Sequence, residues 1–147
     1  MIPDFEDNGN LPPGIHYCFW DEFKERFGYT EKRMQMIRGM EMVMIELKAA
    51  GCRNFYLNGS FVTRKLTPKD FDCCWDSDDV DTEYLKQKAP LILKYYDSAA
   101  QKAKYRGEIY QSDQPVDEST TSIEFFQRDR DLNKKGIIAI DLQEWAP

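Results

Sequence analysis

The most informative stretch of this chain is Tyr56-Leu-Asn-Gly-Ser-Phe-Val-Thr-Arg-Lys-Leu-Thr-Pro-Lys-Asp-Phe-Asp72. A short apolar run leads into a Gly-Ser pair, and Asp70 and Asp72 follow on what we interpret as a second strand. Side chains two residues apart on a strand share a face. Both carboxylates are therefore expected to point the same way, while Phe71 and its alternate neighbours Cys73 and Trp75 enter a core.

The residue types in this stretch predict a phosphate site beside a metal site. Two carboxylates held side by side repel each other unless a cation or a proton lies between them. Oxygen ligands of this kind suit hard divalent cations such as Mg²⁺, which usually bind together with a substrate phosphate. Gly59 and Ser60 offer such a phosphate close backbone approach, with N–H and hydroxyl donors. This combination is the core of a nucleotidyl-transfer site.

The same residues carry a family resemblance. Gly59-Ser60, a nine-residue gap and Asp-hydrophobic-Asp resemble the signature of the DNA-polymerase-β-like nucleotidyltransferase superfamily, and the small chain resembles its minimal, single-domain branch. More loosely, the segments at residues 11–16 and 134–142 resemble a group of uncharacterised small proteins from bacteria and phages assigned to that superfamily. The resemblance implies transfer of a nucleoside monophosphate from a nucleoside triphosphate, assisted by Mg²⁺ or Mn²⁺, and leaves the acceptor open.

A third acid is expected, because two carboxylates rarely satisfy the two metal ions of such a site. Asp141 is our choice, since it is the only charged side chain in the apolar run 136–142 and a bare carboxylate is costly to bury. The resemblance also implies a third carboxylate on a strand of this kind, which would be placed to activate the acceptor hydroxyl. Glu108, in the segment 107–110, is the rival, and the choice between the two stays open.

Basic residues near the turn are candidates for contacts with the triphosphate. Arg64 and Lys65 follow the Gly-Ser pair and would neutralise the β- and γ-phosphates, although a solvated basic pair explains them equally well. Arg128 and Arg130 are weaker candidates, because cations are favoured near a helix end in any case. The predicted nucleotide-binding residues are Gly59, Ser60, Arg64 and Lys65, and the predicted catalytic and metal-binding residues are Asp70, Asp72 and Asp141.

Periodicity and turn signals predict a small α/β (α+β) fold, a mixed β-sheet flanked by helices, in one nucleotidyltransferase-like domain spanning residues 1–147. Residues 1–14 are predicted to form an irregular arm. Methionines at helical spacing predict a long helix over residues 30–50. Pro90 is predicted to open a helix that runs to about Lys104. Residues 136–142 are predicted to form a central strand buried on both faces.

Charge and composition exclude several classes of function. The formal net charge is −6 and the basic residues are dispersed, which argues against general DNA binding. No stretch approaches the ~20 apolar residues that span a bilayer, and the N-terminus lacks the features of a secretion signal, so we expect a cytoplasmic protein with no membrane partner. The four cysteines include no Cys-x-x-Cys pair, which favours buried thiols over a zinc site.

The leading hypothesis is therefore a metal-dependent nucleotidyltransferase that uses a nucleoside triphosphate such as ATP and modifies a protein, a tRNA end or a small molecule. Resemblance to small members of the superfamily adds a toxin or phage-defence effector with an antitoxin-like protein partner. The alternative is a catalytically silent binding or assembly module of the same fold, with the acidic loop 76–81 and the methionine-rich helix as interaction surfaces. A metal-dependent phosphohydrolase is a third possibility.

Overall fold

The computed structural model describes residues 1–147 and contains one five-stranded mixed sheet. Its strands are β1 (Gly14–Tyr17), β2 (Asn54–Asn58), β3 (Phe71–Trp75), β4 (Gly107–Gln111) and β5 (Gly136–Asp141). The order across the sheet is β1-β5-β2-β3-β4. β2 is antiparallel to both of its neighbours, whereas the outer pairs β1–β5 and β3–β4 are parallel. The predicted mixed sheet is confirmed.

Five helices flank the sheet: α1 (Trp20–Phe27), α2 (Glu31–Ala49), α3 (Thr82–Lys88), α4 (Ser98–Tyr105) and α5 (Ser122–Phe126). Three 3₁₀ segments, Gly59–Val62, Pro90–Leu93 and Leu142–Glu144, complete the secondary structure. The predicted long helix is confirmed as α2, whose start is capped by the Thr30 hydroxyl, which accepts a hydrogen bond from the Arg33 N–H. None of the helices combines the length and the apolar composition needed to cross a membrane.

One of the predicted elements is wrong. The single helix from Pro90 to about Lys104 is interrupted, because Asp97 caps a new helix at α4 by accepting a hydrogen bond from the Ala100 N–H. Residues 1–13 are irregular, as predicted, and they are followed by β1, a four-residue edge strand that the sequence analysis did not predict. Its mostly exposed side chains show no clear alternation of apolar and polar residues, so periodicity could not reveal it.

The two faces of the sheet differ in what covers them. One face packs into the main core together with α1 and α2, and it carries the predicted core residues Phe71, Cys73 and Trp75, all fully buried. The opposite face holds a small apolar cluster of Tyr56, Cys74, Ile137 and Ala139. Asp72 belongs to this second face, because side chains alternate along β3. β5 is buried on both sides, as predicted.

Candidate active site

Asp72 lies where the end of β2 meets the beginnings of β3 and β4. The strand register pairs Asp72 with Asn58 on one side and with Glu108 on the other. Residues paired across neighbouring strands share a face, so the three side chains project together. Glu108, the rival for the third carboxylate, is thus brought beside Asp72.

The Gly59 turn lies directly against Asp72. Gly59 has a left-handed backbone with φ of +69°, and a Cβ atom there would lie 2.3 Å from Asp72 Oδ2. Only glycine satisfies both the backbone conformation and this close approach. Ser60 follows in the 3₁₀ segment Gly59–Val62. The turn that resembles a phosphate cradle therefore contacts one of the two acids predicted to lie beside it.

Asp70 and Glu108 are linked by one lysine. Lys102, on α4, places its Nζ 3.0 Å from Glu108 Oε1 and 3.9 Å from Asp70 Oδ2. The Tyr110 hydroxyl donates a hydrogen bond to the other oxygen of Glu108. We refer to Asp70, Asp72 and Glu108 as the acid cluster.

The acid cluster holds more negative charge than its neighbours neutralise. Burial, followed by the charges of Glu108 and Asp70, raises the pKa of Asp72 to about 7, although Lys102 opposes the shift. Burial also favours a higher pKa for Glu108, but the hydrogen bonds from Tyr110 and Lys102 outweigh it and hold this pKa below its ordinary value. A carboxyl with a pKa raised by burial and like charges is ionised more readily when a further cation binds beside it.

The acid cluster has the donor chemistry of a Mg²⁺ or Mn²⁺ site without its closed geometry. No group of three or more His, Cys, Asp or Glu side chains is placed to hold a metal ion, and Lys102 bridges two of the three acids. The donors are hard oxygens of the kind these cations prefer. Asn58, fully buried opposite Asp72, adds an oxygen with no hydrogen-bond partner. The residues therefore fit a divalent cation by their chemistry.

A cleft of about 1310 Å³ opens beside Gly59 and Asp72. The segment 127–135, between α5 and β5, forms much of its lining, and we call it the basic segment. Burial lowers the pKa of one of its lysines, Lys135, while the charges of Asp129 and Asp72 favour the protonated form. Four cations of the basic segment line the cleft: Arg128, Arg130, Lys134 and Lys135. The cleft thus combines a glycine turn with four cations and four carboxylates, those of Asp72, Asp117, Glu124 and Asp129.

Arg64 and Lys65 do not line this cleft, contrary to the prediction. The Arg64 guanidinium turns towards the N-terminal arm, where Nη2 donates to the Glu6 carbonyl oxygen at 3.1 Å. Lys65 is exposed and lines a separate surface pocket. The positive charge beside the turn comes instead from the basic segment, which includes the two weaker candidates, Arg128 and Arg130.

Asp141 lies away from the acid cluster, so its assignment as the third carboxylate is wrong. It pairs with Asn54 at the beginning of β2, whereas Asp72 pairs with Asn58 at the end of that strand. Four residues along a strand correspond to roughly 13 Å. The charge of Asp141 is explained by Arg53, whose Nη1 lies 2.9 Å from Asp141 Oδ2.

Lys102, Lys134 and Lys135 are the cations of this region that the sequence analysis did not single out. A signal exists for Lys135, because it directly precedes β5, and the start of β5 meets the end of β2 once these strands are known to be antiparallel. Lys102 gives no such signal. It reaches the acids only because α4 packs beside β4, a tertiary contact without a sequence pattern.

Asp72 is expected to make the protein less stable as pH rises from about 4 to 7. In the unfolded chain this carboxyl ionises near its ordinary pKa of 3.8, whereas the folded protein keeps the proton until about pH 7. The folded state therefore binds more protons in this window, and linkage gives a loss of up to about 1.4 kcal/mol per pH unit. Urea unfolding of the parent and of Asp72→Asn, measured without divalent metal, isolates this contribution. Parallel pH profiles for the two proteins would contradict the assignment.

Gly59→Ala is expected to lower stability by about 1–2 kcal/mol and to displace Asp72, because a left-handed backbone and a clash are imposed together. Gly9→Ala is a matched control, since Gly9 also has positive φ but its added Cβ would meet nothing closer than 3.5 Å. Urea unfolding measures the cost, and the Asp72 pKa from NMR measures the displacement. An unchanged Asp72 pKa in Gly59→Ala would argue against the contact.

Comparison with known proteins gives a family and no activity. No curated protein and no solved structure matches this chain. A model described as a family of unknown function, DUF6932, matches residues 3–141, which is nearly the whole chain. This protein is accordingly a member of the DUF6932 family.

Proposed function

We propose that this protein transfers a nucleoside monophosphate from a nucleoside triphosphate to an acceptor, in a reaction that depends on a divalent metal. The observation that carries the proposal is the contact between the left-handed Gly59 turn and Asp72 within a cleft whose lining includes the four cations of the basic segment. A turn, an acid and nearby cations are what a triphosphate bound with a metal ion requires.

Each part of the site has a task in this reaction. The acceptor hydroxyl oxygen bonds to the α-phosphorus, the bond to the bridging oxygen breaks, and pyrophosphate leaves with the electron pair. Such transfer needs positioning and cancellation of charge more than covalent help from the protein. The Gly59–Ser60 backbone is placed to contact a phosphate, and the basic segment to neutralise the leaving pyrophosphate.

The acids would hold the metal and receive the proton. Asp70, Asp72 and Glu108 are the side chains that would bind Mg²⁺ or Mn²⁺, which supplies charge neutralisation at the reacting phosphate. The proton of the acceptor hydroxyl passes to a carboxylate of the acid cluster. Glu108 thereby replaces Asp141 as the third acid, because it lies beside Asp72 on the adjacent strand.

The test is a label-transfer assay. The protein is incubated with each of the four α-³²P-labelled ribonucleoside triphosphates, Mg²⁺ or Mn²⁺, and fractionated protein, tRNA and small-molecule pools. We expect transfer of label and release of pyrophosphate with one donor, and loss of both on addition of EDTA. Release of free phosphate instead of pyrophosphate would indicate a phosphohydrolase. No turnover of any triphosphate would contradict the proposal.

One observation favours a second candidate, a catalytically silent module of the same fold. Lys102 already bridges Asp70 and Glu108, which is how a site that never binds a metal could keep its acids together. Calorimetry with Mn²⁺ and each triphosphate separates the two. Binding of metal and nucleotide supports the enzyme, and absence of both supports the silent module.

A further inference from the structure

A second, smaller cavity touches the acid cluster at Asp70. It has a volume of about 170 Å³, equal to roughly six water molecules in the liquid. The large cleft meets the cluster at Asp72 instead, and the two cavities have no lining residue in common. The acids therefore lie between two separate openings. We call the smaller one the Asp70 pocket.

The Asp70 pocket concentrates positive charge in an acidic protein. Apart from Asp70 and the buried Met36, all of its lining residues are cations: Lys32, Lys69, Lys102 and Arg106. The whole chain carries a net charge of −6, whereas the lining of the pocket, with four cations and one carboxylate, is positively charged. Charge of one sign in a concave site attracts ligands of the opposite sign.

Most of this positive charge has no protein partner. Lys102 pairs with Asp70 and Glu108, but Lys32, Lys69 and Arg106 take part in no salt bridge. Cations near the end of α4 are favoured by the helix dipole, which accounts for Lys102 and Arg106. It does not account for Lys32 in the first turn of α2, or for Lys69 in a loop. Three elements thus bring free cations to one small cavity.

We infer that the Asp70 pocket binds the phosphate group of the acceptor, and that the acceptor is a small phosphorylated molecule. This inference rests on the proposed function, in which the triphosphate occupies the large cleft. In-line transfer requires the acceptor to enter on the side opposite the leaving pyrophosphate. A cavity that meets the acids at Asp70 rather than Asp72 gives the acceptor its own entrance. Its volume admits a phosphate group but not a nucleotide, and small-molecule sites are usually larger, so the rest of the acceptor would lie outside.

A small molecule fits these features better than a nucleic acid. Binding along an RNA strand needs a basic surface extending over several phosphates. The Asp70 pocket is confined to one group, and the chain as a whole is acidic. A single phosphate with several charged donors is the recognition that this geometry provides.

The test is an NMR titration with inorganic phosphate at low ionic strength and without divalent metal. We expect the amides of Lys69, Asp70 and Arg106 to shift on addition of phosphate. Lys69→Gln is expected to weaken this binding roughly tenfold, the value of one charge-assisted contact. Lys134→Gln, which removes an exposed cation of the large cleft, is expected to leave the affinity at the Asp70 pocket unchanged.

Several outcomes overturn the inference. Shifts confined to residues 59–60 and 128–135 would place phosphate only in the large cleft, and an unchanged affinity in Lys69→Gln would remove the pocket's role. Tighter binding of a short 5′-phosphorylated RNA than of phosphate itself would replace the small molecule with an RNA end. Because this titration needs neither metal nor turnover, phosphate binding with no triphosphate turnover would contradict the proposed function, and with it the acceptor role, but not the phosphate site at the Asp70 pocket.

Discussion

Asp72→Asn is expected to lower nucleotidyl transfer by roughly 10³-fold or more, while stabilising the metal-free protein at pH 8. The carboxylate contacts the Gly59 turn and lies beside Asp70 and Glu108. Its charge would hold the proposed metal ion, and it repels its neighbours when no metal is bound. Removal of that charge relieves the repulsion and destroys the site. A variant that loses activity while it gains stability is typical of a residue whose charge serves the reaction but destabilises the fold.

Asp141→Asn is the matched control for this variant. Asp141 is also an aspartate of the sheet, but it lies at the other end of β2 and pairs with Arg53 on the surface. Label transfer gives the activity, and thermal unfolding with and without Mn²⁺ gives the stability. We expect Asp141→Asn to keep activity near that of the parent protein. Equal losses in the two variants would contradict the site described for Asp72.

Arg33→Met is expected to destabilise the protein by about 3 kcal/mol or more, because it leaves several main-chain carbonyl groups without donors. Arg33 is fully buried on α2 and is paired with no carboxylate. Its guanidinium lies between the rings of Tyr29 and Phe61, 4.4 Å and 4.5 Å from their centroids. It donates hydrogen bonds to four carbonyl oxygens, those of Phe27, Phe61, Thr63 and Lys65.

Three of these carbonyl groups belong to the segment directly after the Gly59 turn, so Arg33 holds that turn against the core. Arg38→Met is the control, since Arg38 lies on the same helix but is exposed and makes a surface ion pair with Glu31. Loss of this ion pair in Arg38→Met is expected to lower the free energy of unfolding by less than about 0.5 kcal/mol. Urea unfolding compares the two variants. An Arg33→Met protein as stable as Arg38→Met would show that these carbonyl groups find other partners.

The local elements near the turn were predictable because their signals are short-range. Alternation between Asp70 and Trp75 indicates which side of β3 is buried, and the structure places Phe71, Cys73 and Trp75 in the core. Thr30 at the start of α2 and the apolar run Gly136–Ile140 of β5 give equally local signals. Capping and alternation depend on residues within one turn or one strand, so a single sequence contains the information.

The third acid could not be chosen from the sequence, because its position depends on strand order and direction. Asp141 and Glu108 both stand on strands with apolar neighbours. Only the pairing of β4 parallel to β3 places Glu108 beside Asp72, and only the antiparallel pairing of β5 with β2 carries Asp141 to the far end. The single charge in an apolar run indicated a need for a partner, and that partner is Arg53.

The cations beside the Gly59 turn were predicted wrongly for a similar reason. Arg64 and Lys65 are near Gly59 in sequence, but Arg33 binds the carbonyl groups at residues 61–65 and directs this segment away from the cleft. The basic segment is distant in sequence and reaches the turn through the contact of β5 with β2. Closeness to Gly59 in the sequence therefore led to the wrong cations, because the buried Arg33 side chain fixes the path of the backbone after the turn.

The most direct test of a metal-dependent site at the acid cluster is a crystal structure with Mn²⁺ and a non-hydrolysable triphosphate, using the anomalous signal of manganese. We expect a manganese peak within coordinating distance of Asp70 and Asp72, with Lys102 displaced from Glu108 and the triphosphate lying between Gly59 and the basic segment. A manganese peak at the acidic loop 76–81 alone, or a triphosphate bound away from Gly59, would contradict the account.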